Sequence, residues 1–93
     1  MKLNWSSSFK RTFRKMAGNN PGAKEKIITT MQKLEQNPFM LGLKTHKLKG
    51  FLEGSYACNV DYDLRIVFTF EKNKETGATE ILLIDVGTHK EVY

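Results

Sequence analysis

From Leu64 to Phe70 every second residue is large and apolar: Leu64, Ile66, Phe68 and Phe70 alternate with Arg65, Val67 and Thr69. Successive side chains of a strand point to opposite faces, so this period of two calls for a half-buried strand. Tyr56, Cys58 and Val60 alternate in the same way with Ala57, Asn59 and Asp61. Asp61-Tyr62-Asp63 offers a tight turn between the two runs. Glu71 to Thr79 is polar with one glycine and reads as a loop. Glu80 to Val86 then forms the last long strand. It is apolar on both faces except for Asp85, which is the pattern of a central strand.

The N-terminal part keeps a different period. Lys2 to Trp5 reads as a short strand, and Ser6-Ser7-Ser8 offers N-cap hydroxyls. Phe9, Phe13 and Met16 fall at i, i+4 and i+7, one face of a helix, with Lys10, Arg11, Arg14 and Lys15 on the remaining surface. Gly18 to Gly22 interrupts that helix, and Pro21 suits the first turn of the next. Ala23, Ile27, Met31 and Leu34 make a second stripe, and Asn37-Pro38 stops it. The expected order is β-α-α-β-β-β in a single domain over residues 1–93. It is an α+β fold: a small antiparallel sheet with an N-terminal helical hairpin packed on one face.

The charge is unevenly spread. Residues 1–49 carry eleven Lys and Arg against Glu25 and Glu35, a balance of +9, whereas residues 50–93 carry four against eight, or −4. A basic half suggests an anionic partner, either nucleic acid or an acidic protein. No apolar run reaches the length of a membrane span, and the N-terminus has no signal-peptide core. The single cysteine, Cys58, cannot close an internal disulfide. Together these features favour a cytoplasmic bacterial protein.

Few residues are left to carry chemistry. Two histidines and one cysteine without ligand spacing give no metal signature. No glycine-rich phosphate loop or nucleophile elbow is present. Cys58 belongs to the apolar face of its strand. Arg65 points away from the apolar set, and a guanidinium beside Val67 calls for an anion or a carboxylate such as Asp61, Asp63 or Asp85. His46, Asp61, Asp63, Asn59 and Arg65 cluster near strand ends. His89 and Tyr93 close the chain in Gly87-Thr88-His89-Lys90-Glu91-Val92-Tyr93. Histidine exchanges protons near neutral pH, arginine forks onto phosphate, and tyrosine stacks on a base. A metal-free ribonuclease needs such parts. A surface histidine or a structural salt bridge would use the same residues, and the spacing alone does not choose.

The stretch "HKLKG…GSYACNVDYDLRIVF…EILLIDVGTHKEVY" resembles the RelE/ParE superfamily of bacterial toxin–antitoxin toxins, and within it the YafQ-like branch. The resemblance covers nearly the whole chain. It implies a ribosome-dependent mRNA endoribonuclease that needs no metal or other cofactor and leaves a 2′,3′-cyclic phosphate. It implies as partners a cognate antitoxin protein, in a hetero-oligomer, and the 70S ribosome with its mRNA, and no membrane. Carried over by position, His89 becomes the general acid and His46 or Asp63 the base. Arg65 would hold the phosphate, and Tyr93 would orient a base or the phosphate. Lys47, Lys49, Asn59 and Asp61 would contact RNA. Two departures stand out: Asn59 occupies a position where the branch has a second histidine, and Asp63-Leu64-Arg65 replaces a commoner Tyr-Arg pair. Competing expectations are a ParE-like inhibitor of DNA gyrase without catalysis, and an inactive member that only binds an antitoxin. Retention of Arg65, His89 and Tyr93 favours the nuclease.

Overall fold

The computed structural model describes residues 1–92, apart from the side chains of Phe51, Glu91 and Val92; Tyr93 lies outside the described residues. The chain opens with β1 (Leu3–Trp5) and a helical hairpin of α1 (Ser7–Ala17) and α2 (Pro21–Gln36). The predicted signals set these boundaries. The Ser6 hydroxyl accepts the Phe9 N–H at 3.0 Å, so the first of the three serines is the cap. Asn20 caps α2 by accepting the Ala23 N–H at 3.1 Å, with Pro21 next in the chain. Asn37 ends α2 in extended backbone, and its Oδ1 accepts the Phe39 N–H.

The second part is the sheet: β2 (His46–Lys47), β3 (Tyr56–Asn59), β4 (Leu64–Lys72) and β5 (Thr79–Thr88), followed by a helical turn, α3 (His89–Val92). The strand order is β1-β5-β4-β3-β2. The β3-to-β5 part is the expected antiparallel meander; β2 adds a two-residue edge strand that the sequence reading did not include, and β1 joins β5 in parallel, so the five-stranded sheet is mixed. A parallel neighbour needs a crossover, and the α1–α2 hairpin supplies it between β1 and the meander. As its two-sided apolar pattern requires, β5 is interior, flanked by β1 and β4.

Both sheet faces carry apolar packing. On the helix side Phe9, Ile27, Met31 and Leu34 meet Cys58, Ile66, Phe68, Ile81, Leu83 and Val86 in the main core. On the far side Leu48, Ala57 and Val67 form a smaller buried cluster with Leu52 and Ile84 packed on it. The alternation in β4 therefore divides cleanly, with Ile66 and Phe68 toward the helices and Val67 away from them. In β5 the alternation breaks. Val67 pairs with Asp85 and Phe68 with Leu83, so Ile84 is an extra residue, a β-bulge. The bulge brings Asp85 into the Val67 row beside Ile84. The Val86 N–H is met by two side-chain oxygens, Thr12 Oγ1 at 3.2 Å and Asp85 Oδ1 at 2.9 Å. Thr12 thus ties α1 to β5.

The last strand does not stop at Val86 as expected: Gly87 is buried within β5, opposite Arg65. The strand continues to Thr88, and the chain turns into α3 at His89. Gly87 tolerates more backbone conformations than other residues, but pairing with β4 holds it extended.

Candidate functional site

The β3–β4 turn is organised by Asp61. Its Oδ1 accepts the N–H of Asp63 at 3.0 Å and of Leu64 at 2.9 Å. Its Oδ2 lies 3.4 Å from Lys26 Nζ on α2. The Leu64 N–H is the largest of the influences holding this carboxyl below its usual range, and Asp63 and Lys26 act in the same direction. Asp61, expected at the RNA, is thus occupied in shaping the turn and linking it to α2.

The turn in turn holds Arg65. Its Nη1 donates to the carbonyl oxygens of Asp61 (2.9 Å), Tyr62 (3.1 Å) and Leu64 (3.0 Å). Backbone carbonyls, rather than the carboxylates of Asp61, Asp63 or Asp85, therefore meet this guanidinium. Arginine has five N–H donors. Among the described residues, those on Nε and Nη2 have no hydrogen-bond acceptor. The side chain is half-buried, with one nitrogen fixed and its fork positioned for a further acceptor. Tyr62, at the tip of the turn, is 97% exposed.

Register gathers other groups around Arg65. Asn59 stands opposite it on β3 and Gly87 on β5, while Leu64 pairs with Thr88, the residue before His89. Asp63, exposed, precedes this row in the turn. His89 is exposed at the start of α3, which packs against β4 and β5. His46 pairs with Ala57, in the row that continues through Val67 to Asp85. Directly opposed residues share a face, so His46 and Arg65 lie on the sheet face away from the helices. Two strand spacings and two residues separate their backbones, about 12 Å in ideal geometry. The His46 Nδ1 lies 3.1 Å from the Lys44 carbonyl. In the neutral ring this contact puts the proton on Nδ1 and the lone pair on Nε2. Lys47 and Lys49 are exposed and line a groove of about 440 Å³ with Glu53, Ser55 and Tyr56.

Asn59, Asp61, Asp63, Arg65 and the start of α3 thus share one end of the β3–β4–β5 sheet, with His46 beyond an apolar strip on the same face. Tyr93, the remaining expected site residue, lies outside the described residues. Asp85, offered by the sequence as a partner for Arg65, is brought by the bulge into the Val67 row, but carbonyls of the turn meet the guanidinium instead. Cys58 is fully buried, and burial pushes its thiol up to about 12, so it stays protonated at neutral pH. Among the described residues no three His, Cys, Asp or Glu side chains converge to hold a metal ion, and no helix is long and apolar enough to cross a membrane.

A helical hairpin over a mixed sheet whose meander ends beside the first helix is the fold of the RelE-like toxins. The YoeB/ParE toxin from Agrobacterium tumefaciens superposes with a TM-score of 0.78 at 21% identity, over 96% of this chain and 99% of that one. YafQ from E. coli strain BL21(DE3) superposes at 0.77 with 18% identity, over 99% of this chain and 97% of that one. YafQ in the E. coli DinJ–YafQ complex gives 0.73 at 17% identity, again over 99% and 97%. The chain belongs to the YafQ family: the profile described as "Bacterial toxin of type II toxin-antitoxin system, YafQ" matches residues 1–93. No curated protein sequence matches it.

Proposed function

We propose that this toxin is a ribosome-dependent mRNA endoribonuclease acting in the bacterial cytoplasm, restrained by a cognate antitoxin in a hetero-oligomer. The observation that carries the reading is Arg65: a guanidinium anchored through Nη1 on three carbonyls of its own turn, on the open sheet face, with its other donors directed to no protein acceptor among the described residues. That is a seat for a phosphate. The RelE-like fold, the YafQ family and the solved DinJ–YafQ complex support the rest of the reading.

The ribose 2′-hydroxyl loses its proton to His46 or Asp63 and attacks the adjacent phosphorus. The bond to the 5′-oxygen breaks, His89 protonates that oxygen, and a 2′,3′-cyclic phosphate remains. No metal enters this scheme. Arg65 neutralises the charge that grows on the phosphoryl oxygens. Tyr93 orients a base or the phosphate. Lys47 and Lys49 contact the RNA backbone, and Asn59 lies beside Arg65 to contact RNA as well. Asp61 acts through the turn rather than on RNA.

The test is primer extension on mRNA from an in vitro translation reaction. Wild-type protein is expected to give cuts phased with codons, only during translation. His89→Gln is expected to slow cutting by at least about a hundredfold, the usual range for a lost general acid. A variant that cuts at the wild-type rate removes His89 from proton transfer. Intact mRNA together with inhibited supercoiling by purified gyrase would move the reading to the ParE-like alternative.

A further inference from the structure

Tyr62 is 97% exposed at the tip of the β3–β4 turn. Every other described aromatic side chain packs on a ring of its own chain, whereas Tyr62 has no ring neighbour and no side-chain hydrogen bond among the described residues. Its backbone is fixed instead. The Tyr62 carbonyl accepts from Arg65 Nη1 at 3.1 Å. A carbonyl oxygen lies about 2.4 Å from its own Cα, so this bond keeps the root of the side chain within about 5.5 Å of the guanidinium nitrogen. The Asp61 carboxylate braces the turn around this point, through the N–H groups of Asp63 and Leu64 and through Lys26 of α2 at 3.4 Å. A fixed stem thus carries an unattached ring close to the open donors of Arg65.

We propose that Tyr62 is a base-stacking residue: its ring lies against the base of a nucleotide next to the phosphate held by Arg65. This role rests on the nuclease reading and adds a base contact to it. A single sugar separates the phosphate and the base of a nucleotide. A phosphate on the open fork of Arg65 therefore leaves a flanking base within the sweep of a ring rooted this close. Charge selects base over backbone. Asp61 and Asp63 flank Tyr62 in the chain and repel a phosphate, while a neutral base meets no such penalty. Both faces of the ring are open, as stacking requires. A protein partner would call for a continuous apolar patch, and Tyr62 stands alone between two carboxylates. Every base has a π-face, so the contact tolerates any sequence, and it favours purines, whose two rings overlap the phenol further.

The test is single-turnover cleavage of mRNA on programmed ribosomes, with the full-length protein below saturation. Tyr62→Ala is expected to cut about ten- to a hundredfold more slowly, and Tyr62→Phe to match wild type. Thermal unfolding is expected to be the same for all three, since the ring touches nothing in the fold. An mRNA lacking one base, first on the 5′ side and then on the 3′ side of the scissile phosphate, identifies the stacked nucleotide. On one of the two sides the missing base is expected to slow wild type to the rate of Tyr62→Ala and to slow Tyr62→Ala no further. Losses that multiply on both sides overturn the proposal, as does wild-type cutting by Tyr62→Ala. A Tyr62→Phe variant as slow as Tyr62→Ala also overturns it, because the hydroxyl rather than the ring would then act. Where wild type cuts nothing, a titration decides. A short single-stranded RNA carrying 2-aminopurine, its cleavage blocked by 2′-O-methyl groups, is quenched when the fluorophore stacks. Quenching by wild type and Tyr62→Phe that is lost in Tyr62→Ala would leave the stacking role standing while the nuclease reading fails. Equal quenching by Tyr62→Ala, or none by wild type, would overturn the stacking role along with it.

Discussion

Asp61 and Arg65 show how a short polar turn holds a guanidinium in place. A carboxylate two and three residues before backbone N–H groups captures both of them, a local bond that aspartate makes readily. The turn so formed aligns three carbonyls on one guanidinium nitrogen. Asp61→Ala is therefore expected to lower stability by about 1 kcal/mol, as for a lost cap, and also to reduce RNA cleavage by loosening Arg65. Asp61→Asn retains an acceptor and is expected to lie between the two. Thermal unfolding and single-turnover cleavage on the same variants check both effects. Arg65→Lys keeps the charge but loses the planar fork, and a fall in cleavage of about a hundredfold with little change in melting temperature is expected. Cleavage unchanged in Arg65→Lys would show that a point charge suffices. That Arg65 needs a partner from its own turn was legible in the sequence; which groups of the turn meet it was not. A carboxylate near an arginine reads as an ion pair, and only the folded turn shows carbonyls taking that role.

At the level of elements, the unpredicted features are those that join distant segments. Thr12 lies within the basic and apolar pattern of α1 and reads there as one more surface residue. Its hydroxyl meets the Val86 N–H beside the bulge. Thr12→Val preserves shape and removes that bond, and a loss of about 1 kcal/mol, read by denaturant midpoint, is expected. Likewise β1 is held to the sheet by more than backbone pairing. Asn4 Nδ2 donates to Glu80 Oε1 at 2.8 Å and to Glu71 Oε2 at 2.9 Å, and Asn73 Nδ2 reaches Glu80 Oε2 at 3.1 Å. The Asn4 bond, and then that of Asn73, hold the Glu80 carboxyl below its ordinary value of 4.5. A carboxyl with a depressed folded pKa contributes stability above its unfolded pKa and loses it as pH falls through the folded one. The melting temperature of wild type is thus expected to exceed that of Glu80→Gln at pH 7, and the gap to shrink as pH falls below 4.5. A gap independent of pH would mean that the charge of Glu80 contributes nothing to the clamp.

Over the whole molecule, the basic helical hairpin and the proposed site lie on different faces. The helical hairpin carries seven of the fifteen Lys and Arg and only two carboxylates, Glu25 and Glu35, while Arg65 and His46 lie on the open face of the sheet. Lys47 and Lys49 are exposed by the β2 edge, and in the proposed mechanism they follow an RNA backbone toward that face. Translation-dependent cleavage is therefore expected to fall steeply with salt, and Lys47→Gln/Lys49→Gln to flatten the dependence by releasing fewer counterions. Equal salt slopes for the variant and wild type would remove these two lysines from the RNA contact.

Periodicity and capping chemistry, both local, were enough to place the helices, the long strands and the order in which they follow, because they depend on residues a few positions apart. They also placed Arg65 on the face away from the helices. What depended on distant segments meeting could be decided only by the tertiary structure. The parallel seat of β1, the bulge that turns Asp85 to the open face and the inclusion of Gly87 within β5 all arise from pairing and packing between residues far apart in the chain, and the energies of those contacts leave no period in the sequence.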